Sequence, residues 1–115
     1  MPLIETKARD RTRDLNDTFR KSFDAKLGKV VMTAGVSGFG ADIKVKIMMA
    51  VQAFSDFSEE NDPHGEHDFG SFELFAQKLF WKIDYFDKTL GSGSEDPSDP
   101  AQTTRVLTIM LADEY

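Results

Sequence analysis

Residues 61–87 read NDPHGEHDFGSFELFAQKLFWKIDYFD, and this stretch contains the clearest strand patterns of the chain. It holds both histidines, the only tryptophan and two runs in which apolar side chains alternate with polar ones. That alternation predicts two antiparallel strands, over about 66–75 and 78–87, joined by a turn at Ala76 and Gln77. Counting outward from this turn gives the facing pairs that we expect on the core side of the hairpin: Leu74–Leu79, Phe72–Trp81, Gly70–Ile83 and Asp68–Tyr85.

The opposite face of the hairpin is rich in phenylalanine. It carries His67, Phe69, Ser71, Glu73 and Phe75 from one strand, and Lys78, Phe80, Lys82, Asp84 and Phe86 from the other. Four phenylalanines are too many for scattered surface exposure, so this face is expected to be covered or to bind a partner. We expect the first helix to cover it, because a basic amphipathic helix needs a surface on which to dock. A partner-binding face is the alternative.

Two helices and one short strand are predicted before the hairpin. A helix over residues 5–23 follows from a stripe at spacings of three and four: Ile4, Ala8, Thr12, Leu15, Phe19 and Phe23. Residues 29–33 are β-branched and apolar between glycines, which predicts a strand. A helix over 41–56 follows from a second stripe: Ile43, Ile47, Val51 and Phe54. The glycines between them match no phosphate-binding loop and are expected to make a tight connection.

The C-terminal segment is predicted to be a buried helix. Asp99 suits the capping position, Pro100 the first helical position, and Gln102 follows three residues after the cap. Residues 103–114 are apolar nearly all round, although their β-branched content would also permit a strand. The predicted class is therefore α+β in the order α-β-α-β-β-α. A small antiparallel sheet, made of the hairpin plus one strand, packs with three helices in a single domain over 1–115.

Composition narrows the range of functions. The 115 residues include no cysteine, which excludes disulfides, thiolate metal sites and cysteine nucleophiles. No apolar run approaches the roughly 18 residues of a membrane span, and the first residues do not resemble a secretory signal. We therefore expect a cytoplasmic protein without a membrane partner, and nothing in the composition implies a cofactor.

Charge is distributed unevenly along the chain, whose net charge is −6. Residues 1–30 carry eight basic and five acidic side chains, whereas residues 31–115 carry six and fifteen. An acidic body disfavours direct contact with nucleic acid, because affinity for phosphates comes largely from Lys and Arg. It favours a protein partner, either basic or itself nucleic-acid-binding. Solubility is the simpler explanation of the same charge.

Three segments carry a resemblance to a known family. Glu66–Gly70, Trp81–Tyr85 and Thr104–Ala112, with the terminal Glu114-Tyr115, resemble small, mainly alphaproteobacterial proteins catalogued as domain of unknown function 3768. The resemblance runs from about Leu15 to Tyr115. It implies a bacterial cytoplasmic protein that is sometimes encoded near plasmid or other mobile-element genes. It implies no activity and no catalytic residues.

The stretch around the histidines offers candidate chemistry. Imidazole and carboxylate groups suit zinc, manganese or iron, and the available ligands are Asp62, His64, Glu66, His67 and Asp68. In an extended strand His67 points away from Glu66 and Asp68, so a metal site would need Asp84 as well. The metal candidates are then His64, His67 and Asp84. Acid–base catalysis by His67, with Asp84 orienting its ring, is the catalytic candidate. A structural turn, in which the carboxylates accept backbone hydrogen bonds, is favoured over both.

The leading functional hypothesis is a non-enzymatic, acidic protein-interaction protein of a bacterial or mobile-element system. The predicted binding residues are Phe69, Phe75, Phe80, Phe86, Asp62, Glu66 and Asp68. A narrower version is an inhibitor of a nucleic-acid-handling defence system, of the anti-restriction or anti-CRISPR type. In it a set of carboxylates mimics phosphates: Asp56, Glu59, Glu60, Asp62, Glu66 and Asp68. The alternative is a small metal-dependent hydrolase or nuclease built on His64, Glu66, His67, Asp68 and Asp84.

Overall fold

The architecture is a four-stranded mixed sheet with helices on one side. The computed structural model describes residues 3–115, with side chains from Thr6 onward. The elements are α1 (Leu3–Ser22), β1 (Gly28–Met32), α2 (Ala34–Ser37), α3 (Ala41–Ala53), β2 (Phe69–Leu74), β3 (Gln77–Phe86), β4 (Thr104–Leu111) and a final 3₁₀ turn (Ala112–Glu114). The strand order is β1-β4-β3-β2. β1 and β4 run parallel, and the other two pairs are antiparallel. The α+β class is therefore confirmed.

The hydrophobic core lies between one face of this sheet and the two long helices. Its fully or nearly fully buried members are Phe19, Val36, Ile47, Val51, Leu79, Trp81, Ile83, Leu107 and Ile109. In β3 and β4 every second side chain enters the core, because successive side chains of a strand point to opposite faces. We call this the covered face of the sheet and the opposite one the open face.

The C-terminal segment is a strand, so the predicted helix is wrong. Arg105, Leu107 and Ile109 are buried and alternate with partly exposed neighbours, which is the period of a strand. β4 lies in the middle of the sheet, where it pairs with both β1 and β3. The expected helix start is a turn instead, in which the Asp99 carboxylate accepts the Ala101 amide at 2.9 Å. The local pattern of this segment allowed a helix or a strand, and pairing with strands on both sides makes it a strand.

The hairpin forms with a different turn from the one predicted. Phe75 and Ala76 are the turn residues, with φ of 52° and 62°, as the tightest hairpin turns require. Gly70 consequently faces Trp81 and Phe72 faces Leu79, a shift of two residues from the predicted register. A shift of two keeps the paired side chains of β2 and β3 on their predicted faces, so the expected core face of β3 is correct.

The first helix forms as predicted, but it does not cover the phenylalanine-rich face. Its buried residues are Thr12, Asn16, Phe19 and Arg20. Asn16 bonds the Tyr85 hydroxyl and Arg20 lies 5.2 Å from the Trp81 ring, which places α1 on the covered face. The side chain of Ile4, predicted at the start of the same stripe, lies outside the described residues. None of the described helices has the length and apolar character needed to cross a bilayer.

Candidate functional site

His67, the candidate catalytic residue, is held by α1 and by the loop that precedes β2. Its Nδ1 lies 2.9 Å from Asp17 Oδ1, and its Nε2 lies 3.6 Å from Asp62 Oδ2. The imidazole also stacks on the Phe57 ring, with centroids 3.7 Å apart and planes 3° from parallel. The His67 backbone amide donates to the Asp62 carboxylate at 3.3 Å. Both ring nitrogens and one ring face are therefore engaged by the protein itself, as in a structural histidine.

The predicted pairing of His67 with Asp84 is wrong. Asp84 lies on the open face, where its carboxylate is 3.2 Å from Lys82 Nζ. His67 has a positive φ of 55°, and β2 begins only at Phe69. This backbone conformation takes His67 out of the strand alternation on which the pairing relied, and its ring points toward α1 instead.

The metal candidates are likewise not brought together. His64 is exposed in the loop, His67 faces Asp17, and Asp84 lies on the other side of the sheet. Among the side chains that the structure describes, from Thr6 onward, no group of three or more histidines and carboxylates is arranged to hold a metal ion.

Three of the predicted phosphate-mimicking carboxylates are used inside the fold. The Asp62 side chain is only 6% exposed, and Glu66 accepts the Tyr85 hydroxyl at 2.8 Å. Asp68 is half-buried, and this burial, together with the neighbouring charge of Glu66, raises the pKa of its carboxyl. The remaining three, Asp56, Glu59 and Glu60, are exposed.

A buried polar cluster beneath α1 was not predicted. Asn16 is fully buried and joins three partners: its amide nitrogen donates to the Tyr85 hydroxyl at 2.8 Å and to the Glu66 carbonyl at 2.9 Å, and its oxygen accepts from Arg105 Nε at 2.7 Å. Arg105, also fully buried, donates to the Pro97 carbonyl at 2.6 Å. Burial lowers the pKa of Arg105 and raises that of Tyr85. The sequence did contain a signal for this cluster, because Arg105, Leu107 and Ile109 stand at every second position, as on one face of a strand. The prediction of a helix for this segment caused the signal to be missed.

Arg20 forms a second buried cation beside this cluster. Its guanidinium donates to Asp17 Oδ1 and to the Phe54 carbonyl, each at 3.0 Å. It also lies 5.3 Å from the Phe57 ring centroid and 5.2 Å from that of Trp81. Asp17 therefore bonds both Arg20 and His67, so the histidine belongs to the packing of α1 against the loop.

The open face carries an aromatic cluster, which we define as Phe69, Phe80 and Tyr115. Phe69 and Phe80 have ring centroids 5.2 Å apart, and the Tyr115 ring lies 5.9 Å and 5.5 Å from them. Mutual packing leaves the two phenylalanines half-buried, whereas Tyr115 is 77% exposed. Phe86 is half-buried on the same face, at the far end of β3. Phe75 is not on this face, since it belongs to the turn and contacts Lys46 of α3.

The outer edge of β2 adjoins this cluster. The Ile83 amide donates to the Asp68 carbonyl at 2.8 Å, so the alternate residues from Asp68 onward bond β3. The backbone groups of Phe69, Ser71 and Glu73 therefore point away from β3. Because β2 is the last strand of the sheet, no strand of the described chain pairs with them.

Comparison with known proteins identifies the family and no more. Residues 32–114 match the family described as "Protein of unknown function (DUF3768)". The chain belongs to this family. No curated protein and no solved structure matches the chain.

Proposed function

We propose that this DUF3768 protein is a non-enzymatic interaction protein of a bacterial or mobile-element system, acting in the cytoplasm. It binds an extended segment of a partner protein along the β2 edge and over the aromatic cluster. The observation that carries this proposal is the position of an unpaired strand edge directly beside an exposed aromatic surface.

The β2 edge supplies the hydrogen bonds. An edge strand presents unpaired N–H and C=O groups that another chain can pair with, and proteins usually protect such edges with proline, bulges or charge. β2 contains no proline, and Glu73 is its single charged residue. Strand addition of this kind gives affinity through the main chain and specificity through alternate side chains.

The aromatic cluster supplies the apolar contact. Alternate side chains of an added strand would lie over the open face next to Phe69, within reach of Phe80 and Tyr115. Aromatic residues are enriched at the centres of protein interfaces. A neighbouring depression of about 430 Å³ offers room for one further side chain; it is lined by Thr33, Lys82, Thr108, Met110, Glu114 and Tyr115.

Charge favours a basic partner. Glu73 lies on the edge itself, and residues 31–115 carry fifteen acidic against six basic side chains. A strand that places Lys or Arg opposite Glu73 gains a cross-strand pair of opposite charge. The narrower version, an inhibitor of a nucleic-acid-handling defence system, retains Asp56, Glu59 and Glu60 as surface carboxylates that can face such a partner.

The alternative of a metal-dependent hydrolase or nuclease around Glu66-His67-Asp68 has no comparable support. Its imidazole is engaged by Asp17 and Phe57, and Glu66 is bonded to Tyr85.

Tagged protein is used to capture partners from a nuclease-treated bacterial lysate, and the captured proteins are quantified by mass spectrometry. Two variants attack the proposed surface. Ser71→Pro removes an outward amide and leaves the bonds between β2 and β3 in place. Tyr115→Asp puts a charge into the aromatic cluster. The matched control is Val45→Asp, which changes an aliphatic side chain of α3 that is 49% exposed.

The expected result is one stoichiometric protein that Val45→Asp retains and both surface variants lose. Equal capture by all three variants would contradict the proposed surface. Capture that occurs only in a parallel lysate without nuclease, or direct binding of a single-stranded oligonucleotide by the purified protein, would contradict a protein partner. Neutralising Asp56, Glu59 and Glu60 together, as Asn and Gln, tests the inhibitor version, which predicts loss of the same protein.

A further inference from the structure

A cavity lies on the covered face of the sheet, opposite the aromatic cluster. It is a cavity of about 190 Å³ between α3 and the turn end of the hairpin. Ile47 and Leu79, which are 1% and 0% exposed, form its floor. Ile43, Leu74 and Phe39 form its walls. A cavity with this lining favours an apolar occupant, since it gives water few hydrogen-bond partners.

The mouth of the cavity is more polar. Phe75 and Gln77 line it there, and the Phe75 side chain is 53% exposed. Lys46 of α3 brings its ammonium group to 5.4 Å from the centroid of the Phe75 ring. An apolar interior thus opens beside one amide and one cation.

The backbone at the mouth is strained. Phe75 and Ala76 both have left-handed φ values, in a turn type that strongly prefers Asn-Gly. A bulky residue rarely adopts this conformation, and such strain concentrates at ligand clamps and functional sites. Here the strained turn is the segment that holds the Phe75 ring at the cavity.

We propose that this cavity binds a small aromatic carboxylate, with its ring above Ile47 and Leu79 and its carboxylate at Lys46. The volume of the cavity limits the ligand to a single aromatic ring. A cavity of about 150 Å³ lined by Leu, Ile and Phe holds benzene, so 190 Å³ accommodates one ring with a short substituent. The charge of the ligand places its carboxylate at the mouth, because the apolar walls offer an anion no hydrogen-bond donor. There the Lys46 ammonium and the Gln77 amide can both donate to it.

The test is a titration of the full chain with phenylacetate, followed by methyl NMR. Shifts are expected in the methyl groups of Ile43, Ile47, Leu74 and Leu79, with a Kd of roughly 0.1–5 mM for a ligand of this size. Phenylacetamide has the same shape without the charge. It is expected to bind roughly two- to fivefold more weakly, the range for an exposed ion pair.

Two lysine variants separate the cation from general effects of charge. Lys46→Gln is expected to weaken the binding of phenylacetate by the same factor and to leave the binding of phenylacetamide unchanged. Lys44→Gln is the matched control on the same helix, because its ammonium lies 3.4 Å from the Ser37 carbonyl oxygen. It should leave the binding of both ligands unchanged.

A third variant, Ile43→Phe, fills the cavity and is expected to abolish binding of both ligands. If Ile43→Phe does not fold, the proposal is still tested by Lys46→Gln, because Lys46 is exposed and its substitution should not disturb the core. Absence of methyl shifts up to 10 mM of either ligand would overturn the proposal. Equal affinity for the acid and the amide, or an unchanged preference in Lys46→Gln, would overturn it as well.

Discussion

The two ends of the covered face are filled in different ways. Beneath α1, the buried side chains of Asn16 and Arg105 and the half-buried side chain of Tyr85 are joined by hydrogen bonds of 2.7–2.8 Å. Beneath α3, Ile47 and Leu79 meet through apolar contacts and leave a cavity of about 190 Å³. Directional bonds hold the polar end in one arrangement, whereas apolar contacts can be rearranged at smaller cost. The rigid polar packing and the cavity therefore lie at different ends of a single sheet face.

The largest effect is expected from breaking the polar end. Asn16→Ala removes the acceptor of Arg105 and the donor to Tyr85, and leaves a buried guanidinium with one fewer partner. We expect the free energy of unfolding to fall by about 3–4 kcal/mol in urea titrations. Thr18→Ala, at an exposed position of α1, is the control and should change it by less than about 0.5 kcal/mol. A loss for Asn16→Ala no larger than that of the control would show that the polar end is not rigidly held.

Gly70→Ala is expected to cause the next largest loss of stability. It tests the packing between the two ends of the covered face. A Cβ at Gly70 would collide with Trp81 Nε1 and crowd the Phe54 ring. Since Trp81 is fully buried, the collision should destabilise the fold by about 2–3 kcal/mol. Gly40→Ala is the matched control, since nothing lies within 4 Å of its Cβ position. Equal thermal midpoints for the two variants would contradict the close approach of β2 to Trp81.

At the apolar end, a substitution is expected to increase the free energy of unfolding, by less than the two preceding variants decrease it. Ala76→Gly relieves a left-handed φ of 62° and should stabilise the protein by about 0.5–1 kcal/mol. Ala101, a turn alanine without a positive φ, provides the control, since Ala101→Gly should be neutral or destabilising. A loss of stability in Ala76→Gly would show that the turn at the cavity is not strained.

The smallest expected effect concerns the pH dependence beside the polar end. Burial raises the pKa of Asp68, so ionised Asp68 opposes folding above its folded-state pKa, and this opposition disappears as the pH falls toward the unfolded value. Asp68→Asn should therefore be more stable than the wild type at pH 7, by less than about 1 kcal/mol, and the difference should vanish below about pH 4.

Glu114 is the matched control for Asp68, because its pKa is lowered rather than raised. Its carboxylate accepts the Thr33 hydroxyl and the amides of Leu111 and Gly35, and these bonds lower its pKa. Their stabilisation is present above the unfolded pKa and is lost as the pH falls through the lower folded value. Glu114→Gln should therefore destabilise at pH 7 and converge with the wild type in acid. Urea titrations from pH 3 to pH 7 measure both variants; parallel pH profiles would contradict both assignments.

Local patterns predicted those parts of the fold that depend on neighbouring residues. Spacings of three and four predicted α1, and strict alternation predicted the hairpin and the correct core face of β3. The turn was misplaced because Phe75-Ala76 has none of the Asn-Gly character that usually marks this conformation. Of the candidate site, Phe69, Phe80 and Phe86 lie on the open face as predicted. Phe75 lies in the turn instead, and the predicted His67–Asp84 pair does not form. The positive φ of His67 could not be read from a strand pattern.

The amino-acid sequence alone was sufficient to predict the α+β class, the helices α1 and α3 and the two faces of the hairpin, because those follow from periodicities within a dozen residues. Long-range packing determines the other features. It made Thr104–Leu111 a central strand, since pairing with both β1 and β3 outweighs an ambiguous local pattern. It also joined Arg105 to Asn16, 89 residues away, because a buried cation takes whichever acceptor the packed chain brings to it.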